Sequence, residues 1–196
     1  MLINNVNYSD IRNAWEKSFK HLVNDLSDSL TFYDVCSIFF ELGWVACAEN
    51  NKDKKDMNSD KQLEIDKRYL RMARIWAENS YCTRRKVGAL IVKDRMIISD
   101  GYNGTPSGFE NVCELEDGTT KSYVLHAEAN AITKIAKSGN NSDGATLYVT
   151  MSPCMECAKL IIQSGIKRVV YCERYRIDDG IRLLTRAGIE CVFIEL

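Results

Sequence analysis

The sequence predicts an α/β domain: a five-stranded mixed sheet flanked by helices, preceded by an N-terminal helical extension. Three observations lead there. The apolar run Val87–Val92 is followed by the polar turn Lys93-Asp94-Arg95 and a second strand-like run, Met96–Asp100, which together read as an antiparallel hairpin. From Ala145 to Ile194, strand and helix patterns alternate, which implies parallel strands joined by helical crossovers. Before residue 49 the apolar residues recur at helical spacing.

In the first helix, Ser9 is the candidate N-cap, and Ile11, Trp15, Phe19, Leu22 and Leu26 form one apolar stripe. Thr31 caps the second, whose apolar residues (Phe32, Val35, Phe39, Leu42 and Val45, with Ile38, Phe40 and Trp44) cover more than one face and demand burial on several sides. A hairpin of this size builds little core alone, so it is expected to dock on the main domain or on a neighbouring subunit. The segment Glu49–Asp56 is polar and mixed in charge, as a solvated linker is. Domain boundaries follow: hairpin and linker over 1–60, the main domain over 61–196.

Within the main domain, Leu70, Ala73, Trp76 and Ala77 mark one side of a helix from Lys61 to Ser80. After the hairpin come a glycine-rich segment, 101–108, and an irregular stretch to Tyr123. A helix from His126 to Ser138 then stops at Gly139, strand Ala145–Thr150 follows, and a helix over 154–164 stops at Gly165. Strand Arg168–Tyr171, a helix from Asp179 to Ala187 ended by Gly188, and strand Cys191–Ile194 complete the pattern.

Composition narrows the class of partner. A net charge of −1 and a pI near 6.2 lack the basic field of a protein that tracks long nucleic acid, so a small substrate is favoured. The N-terminus shows no basic segment leading into an apolar run. No stretch approaches the roughly 18 uninterrupted apolar residues of a membrane span. The expectation is a cytoplasmic protein whose eight cysteines are reduced, serving as packing residues or metal ligands.

The chemistry concentrates in His126-Ala127-Glu128 and Pro153-Cys154-Met155-Glu156-Cys157. Cys154 and Cys157, three apart at the start of a predicted helix, put both sulfurs on one face of its first turn. Pro153 suits the first helical position, where its missing N–H would have no partner anyway. The free N–H groups and the positive end of the helix dipole favour thiolates, the form that binds metal. His126, opening another helix, adds an imidazole, and three protein ligands leave one tetrahedral position open on a single catalytic zinc. Glu128 lies two residues past the histidine, placed to carry a proton from an activated water to a substrate ring nitrogen and then to a departing amine. The motif pair is the zinc deaminase signature.

A closed zinc knuckle is the structural alternative, and it needs a fourth ligand. The other histidine, His21, lies far away in the N-terminal hairpin, and Cys172 belongs to a strand needed by the sheet.

From Tyr69 to Leu196 the chain resembles the deoxycytidylate (dCMP) deaminases of the cytidine-deaminase-like superfamily. The resemblance rests on Ser80-Tyr81-Cys82-Thr83-Arg84-Arg85-Lys86-Val87-Gly88-Ala89, Gly101-Tyr102-Asn103-Gly104-Thr105-Pro106-Ser107-Gly108 and Tyr171-Cys172-Glu173-Arg174-Tyr175, in addition to the zinc motif. It implies the three-layer fold of that superfamily and hydrolytic deamination of dCMP to dUMP, feeding thymidylate synthesis. It carries a nucleotide-site role over to Tyr175. It also implies a homo-hexamer switched on by dCTP and off by dTTP with magnesium, with the effector near Gly101, Tyr102 and Gly104. Some relatives hold a second, structural zinc through cysteines matching Cys82 and Cys113 plus histidines; this chain has no histidine in that stretch, so two packed thiols are expected.

Residue chemistry adds substrate contacts to this. Asn103 offers a donor and an acceptor to a sugar hydroxyl or base edge, and Arg84 or Arg85 offers a guanidinium fork to phosphate oxygens. Two competing readings remain. A tRNA or other nucleic-acid deaminase shares the zinc motif but wants a basic face, and a silent nucleotide-sensing relative is opposed by the intact Glu128.

Overall fold

The computed structural model describes residues 59–196. The hairpin and linker expected over 1–60 lie outside the described residues, except for 59 and 60, which open the first described helix. Helix α1 covers 59–77, with strands β1 (Gly88–Lys93) and β2 (Met96–Tyr102) after it. Then follow α2 (Ala127–Ile135), β3 (Thr146–Met151), α3 (Met155–Gln163), β4 (Arg168–Glu173), α4 (Asp179–Arg186) and β5 (Glu190–Phe193). The expected order of elements is present; their ends move by up to three residues. The largest changes are in α1, which runs over 59–77 rather than from Lys61 to Ser80, and in α2, which stops at Ile135 rather than Ser138, with turns filling the interval to Gly139.

The five strands form one mixed sheet in the order β2-β1-β3-β4-β5. Strand β1 runs antiparallel to both β2 and β3, and β3, β4 and β5 are parallel. The β1–β2 turn holds Asp94 and Arg95 at φ of 51° and 64°, the left-handed pair that matches the twist of a tight hairpin.

Alternation along the strands divides the core into two layers. Ala89, Ile91, Leu147, Val149, Val169 and Tyr171 face α2, α3 and α4, packing on Ala131, Ile161 and Leu184. The intervening residues Leu90, Val92, Tyr148, Val170 and Cys172 face α1, against Leu70 and Ala73. Helices therefore cover both faces of the sheet, the three-layer arrangement expected. A buried ion pair locks α1 down: Arg168 donates to both carboxylate oxygens of Asp66, at 2.9 and 2.7 Å, and Tyr148 Oη donates to Asp66 at 2.7 Å.

Backbone contact fixes α2 on β2. A Cβ on Gly101 would collide with the Ala127 carbonyl and the Ala131 amide, so only glycine permits this approach. Ser99 Oγ donates to the Ala131 carbonyl (2.7 Å) and Asn130 Nδ2 to the Tyr102 carbonyl (2.9 Å). These bonds set the position of the N-terminus of α2, where the functional residues begin. No helix among the described residues is long and apolar enough to cross a membrane.

Candidate metal centre and nucleotide cleft

His126 is the N-cap of α2 and Cys154 the N-cap of α3, both with extended backbone. Two helix N-termini therefore converge, and Cys157, in the first turn of α3, completes the group. Pro153 stands one residue before the N-cap instead of at the first helical position: Cys154 keeps an extended ψ of 174°, so the helix begins only at Met155. The approach of α4 supports this turn from below. A Cβ on Gly180 would overlap the Pro153 carbonyl and the backbone of Cys154.

His126 Nδ1 lies 3.4 Å from each sulfur, and the three donor atoms all fall within 4.8 Å of one another. Tetrahedral zinc with ordinary bond lengths separates a ligand nitrogen from a ligand sulfur by about 3.6 Å. The donor set, two sulfurs and an imidazole nitrogen, fits zinc in chemistry and in spacing.

The Cys157 thiol and the His126 imidazole, bonded to Cys154, pull the Cys154 thiol down to about 3 against its partial burial. Bonding to Cys154, with burial, pushes the Cys157 thiol well up. The bond to Cys154 also raises His126. Beside them Glu128 is only 4% exposed, and burial pushes its carboxyl up, opposed in part by a backbone hydrogen bond and by His126. A carboxyl raised in this way is suited to holding and passing a proton.

These residues form the floor of a cleft of about 520 Å³. Of the residues singled out from sequence, Arg84, Arg85, Asn103, His126, Glu128, Cys154 and Tyr175 line it, and Cys157 is buried beneath. Gly101, Tyr102 and Gly104 are not among its lining. Gly101 is occupied by helix packing, and Lys134 Nζ sits 5.7 Å from the centre of the Tyr102 ring.

Asn103 is partly committed elsewhere. Its Oδ1 accepts from the Val87 amide and its Nδ2 donates to the Arg85 carbonyl, both at 2.8 Å. One lone pair and one N–H remain for a ligand. The side chain thus holds in place the segment that carries the two arginines.

Sequence reasoning missed several lining residues. Arg174 and Arg176 flank Tyr175, whose amide donates to Ser152 Oγ at 2.7 Å, and their alternation around it was the available signal. Glu114 and Thr120 come from the irregular stretch after Gly108, where no periodicity betrays them.

Cys82 and Cys113 are the clearest correction. Packed thiols were expected, and the structure joins them in a disulfide, with Cα atoms 5.1 Å apart. The loop after β2 folds back over the segment before β1 and brings residues separated by 31 positions within bridging range.

The family model for the cytidine and deoxycytidylate deaminase zinc-binding region matches residues 63–173. Deoxycytidylate deaminase of Enterobacteria phage T4 is 38% identical over 167 residues, covering 62% of this chain and 85% of that protein. ComE operon protein 2 of Bacillus subtilis is 38% identical over 134 residues, covering 65% of this chain and 70% of that protein. The crystal structure of dCMP deaminase from the cyanophage S-TIM5, in complex with dCMP and dUMP, superposes with a TM-score of 0.66 at 49% identity, covering 67% of this chain and 97% of that one. With its matched region holding the whole His126–Cys154–Cys157 group, the chain belongs to the cytidine and deoxycytidylate deaminase zinc-binding family.

Proposed function

We propose that the domain over 61–196 catalyses hydrolytic deamination of dCMP to dUMP with release of ammonia. One observation carries the reading: the zinc-compatible donor triangle and the buried Glu128 open together into a cleft rimmed by Arg84, Arg85, Arg174 and Arg176. The floor supplies hydrolytic chemistry and the rim supplies cations for a phosphate. The likeness to the S-TIM5 enzyme bound to dCMP and dUMP supports the choice of nucleotide.

His126, Cys154 and Cys157 would hold a single zinc, which as a Lewis acid makes water nucleophilic at neutral pH. Glu128 takes a proton from the attacking water and delivers it to the ring nitrogen beside the amine-bearing carbon. Water oxygen bonds to that carbon; a second proton passes through Glu128 to the amine, and the carbon–nitrogen bond breaks to release ammonia. Tyr175 packs on the nucleotide, Asn103 meets the sugar or base edge with its free donor and acceptor, and Arg84 or Arg85 pairs with the phosphate. Their places around one cleft support these roles.

Control by nucleotides extends the same reading: a cytoplasmic homo-hexamer activated by dCTP and inhibited by dTTP with magnesium, the effector meeting Gly101, Tyr102 and Gly104. Its support is the resemblance of the Gly101–Gly108 segment to regulated relatives.

The decisive assay compares purified protein on dCMP, CMP and deoxycytidine. Preferred turnover of dCMP is expected; preference for deoxycytidine, or no release of ammonia from dCMP, would overturn the substrate. Rates against dCMP concentration, with and without dCTP or dTTP, test regulation: sigmoidal curves relieved by dCTP are expected, and hyperbolic curves unmoved by either effector would remove it.

A further inference from the structure

The cleft's rim is built across a covalent seam. On one side, segment 80–86 presents Arg84 and Arg85; on the other, the loop from Gly104 to Leu125 presents Glu114 and Thr120. Four interactions cross between them. Glu114 Oε1 accepts from the amides of Thr83 (3.0 Å) and Arg84 (3.2 Å), and Arg84 Nη1 donates to Thr120 Oγ1 at 3.2 Å. The fourth is the Cys82–Cys113 disulfide, immediately beside all three. Glu114 follows Cys113 directly in the chain, and Arg84 stands two residues past Cys82. The three hydrogen bonds are solvent-exposed, and exposed polar contacts hold a loop weakly on their own.

We propose that the Cys82–Cys113 bond is a redox-sensitive latch on nucleotide affinity: oxidised, it holds Arg84 and Glu114 in their places at the cleft rim; reduced, it releases the loop. The inference rests on the reading of this cleft as the dCMP site. Reduction needs two electrons and two protons, which a cellular dithiol provides as it is itself oxidised to a disulfide; the S–S bond breaks and two thiols form. Cys82 borders the cleft, but both cysteines are buried, 2% and 0% exposed, so a reductant reaches the bond only as the weakly held loop opens, and a bound nucleotide would oppose that opening. Catalytic chemistry is spared, because His126, Glu128, Cys154 and Cys157 are carried by α2 and α3 and not by this loop.

The signature is a split between KM and kcat. Re-ordering about three side chains on binding corresponds to a rise of about tenfold or more in KM. The full-length, zinc-loaded enzyme is assayed oxidised, after treatment with a phosphine reductant (which becomes the phosphine oxide with oxygen from water), and as the Cys82→Ser/Cys113→Ser double variant. Peptide mapping without reduction reports the bond in each sample. Calorimetry measures dCMP binding directly, so that a folded but slow sample is still informative.

The expected result is a raised KM and weakened dCMP binding in both the reduced wild type and the double variant, with kcat changed much less and no effect of reductant on the variant. An unchanged KM in reduced protein that turns over dCMP would overturn the latch, as would absence of the Cys82–Cys113 peptide from oxidised protein. No turnover of dCMP in any sample would instead count against the substrate reading.

Discussion

Asp66 and Arg168, 102 residues apart in sequence, meet in a bidentate ion pair at 2.9 and 2.7 Å that joins α1 to the sheet. Asp66 is 2% exposed, and Gln62 and Tyr148 also donate to it, so its carboxylate is fully engaged. Whatever its net worth, a buried pair satisfied in this way costs much to break, because losing one partner leaves the other charge uncompensated.

Substituting Asp66→Ala leaves the Arg168 guanidinium in a largely buried place with only the exposed Glu190, paired with its Nε at 3.2 Å, as partner. A loss of about 3–5 kcal/mol is expected, read as a lowered urea midpoint. Acid dependence follows from the same pair. Burial alone would raise the Asp66 carboxyl, but the hydrogen bonds from Arg168, Tyr148 and Gln62 outweigh it and hold it below its ordinary 3.8. A depressed folded value means the stabilisation is complete above pH 3.8 and is lost as pH falls through the lower folded value. Urea midpoints between pH 6 and pH 2.5 should fall more steeply for the wild type than for Asp66→Asn; parallel slopes would contradict the assignment.

Glu128→Ala separates metal binding from proton transfer. Zinc content by atomic absorption should stay near one per chain while kcat falls by about 100-fold or more. Cys157→Ala should do the reverse in order of events, losing the metal first and turnover with it. A Glu128→Ala protein that remains largely active would remove the carboxylate from the mechanism.

Gly180→Ala addresses the turn that carries Cys154. The added methyl meets the Pro153 carbonyl, and no side-chain rotation relieves a clash at Cβ. A destabilisation of about 1–3 kcal/mol is expected, together with reduced zinc stoichiometry, because displacing α4 disturbs the sulfur at 154. Normal zinc content at wild-type stability would show that α4 does not support the site.

Glu114→Ala and Glu114→Gln distinguish a hydrogen-bond acceptor from a charge. The amide oxygen of glutamine can still accept from Thr83 and Arg84, so Glu114→Gln should keep KM for dCMP within about threefold of wild type, while Glu114→Ala raises it about tenfold. Equal effects of the two variants on KM would assign the role to the negative charge.

Much of the domain is legible in the chain. The short apolar runs at Val87–Val92 and Ala145–Thr150 and helical spacing at Leu70, Ala73 and Ala77 are local properties, and so they give the elements without knowledge of the fold. The same holds for the Cys154/Cys157 spacing and for Glu128 two residues beyond His126, since a helix turn translates sequence distance directly into direction. What the order of residues by itself determined was therefore the element sequence and the grouping of His126, Cys154 and Cys157, with Glu128 beside them.

Tertiary structure alone decided the rest. Assembly of the sheet in the order β2-β1-β3-β4-β5 places α2 and α3 so that their N-termini meet. The fold-back of the loop after Gly104 pairs Cys82 with Cys113 and brings Glu114 and Thr120 to the rim, and the pairing of β1 with β2 turns half of Asn103 to holding the backbone of Arg85 and Val87. Arg174 and Arg176 reach the cleft because the amide of Tyr175, between them, is tied to Ser152. Each of these depends on contacts between residues far apart in the chain, and local periodicity carries no record of which distant segments will meet.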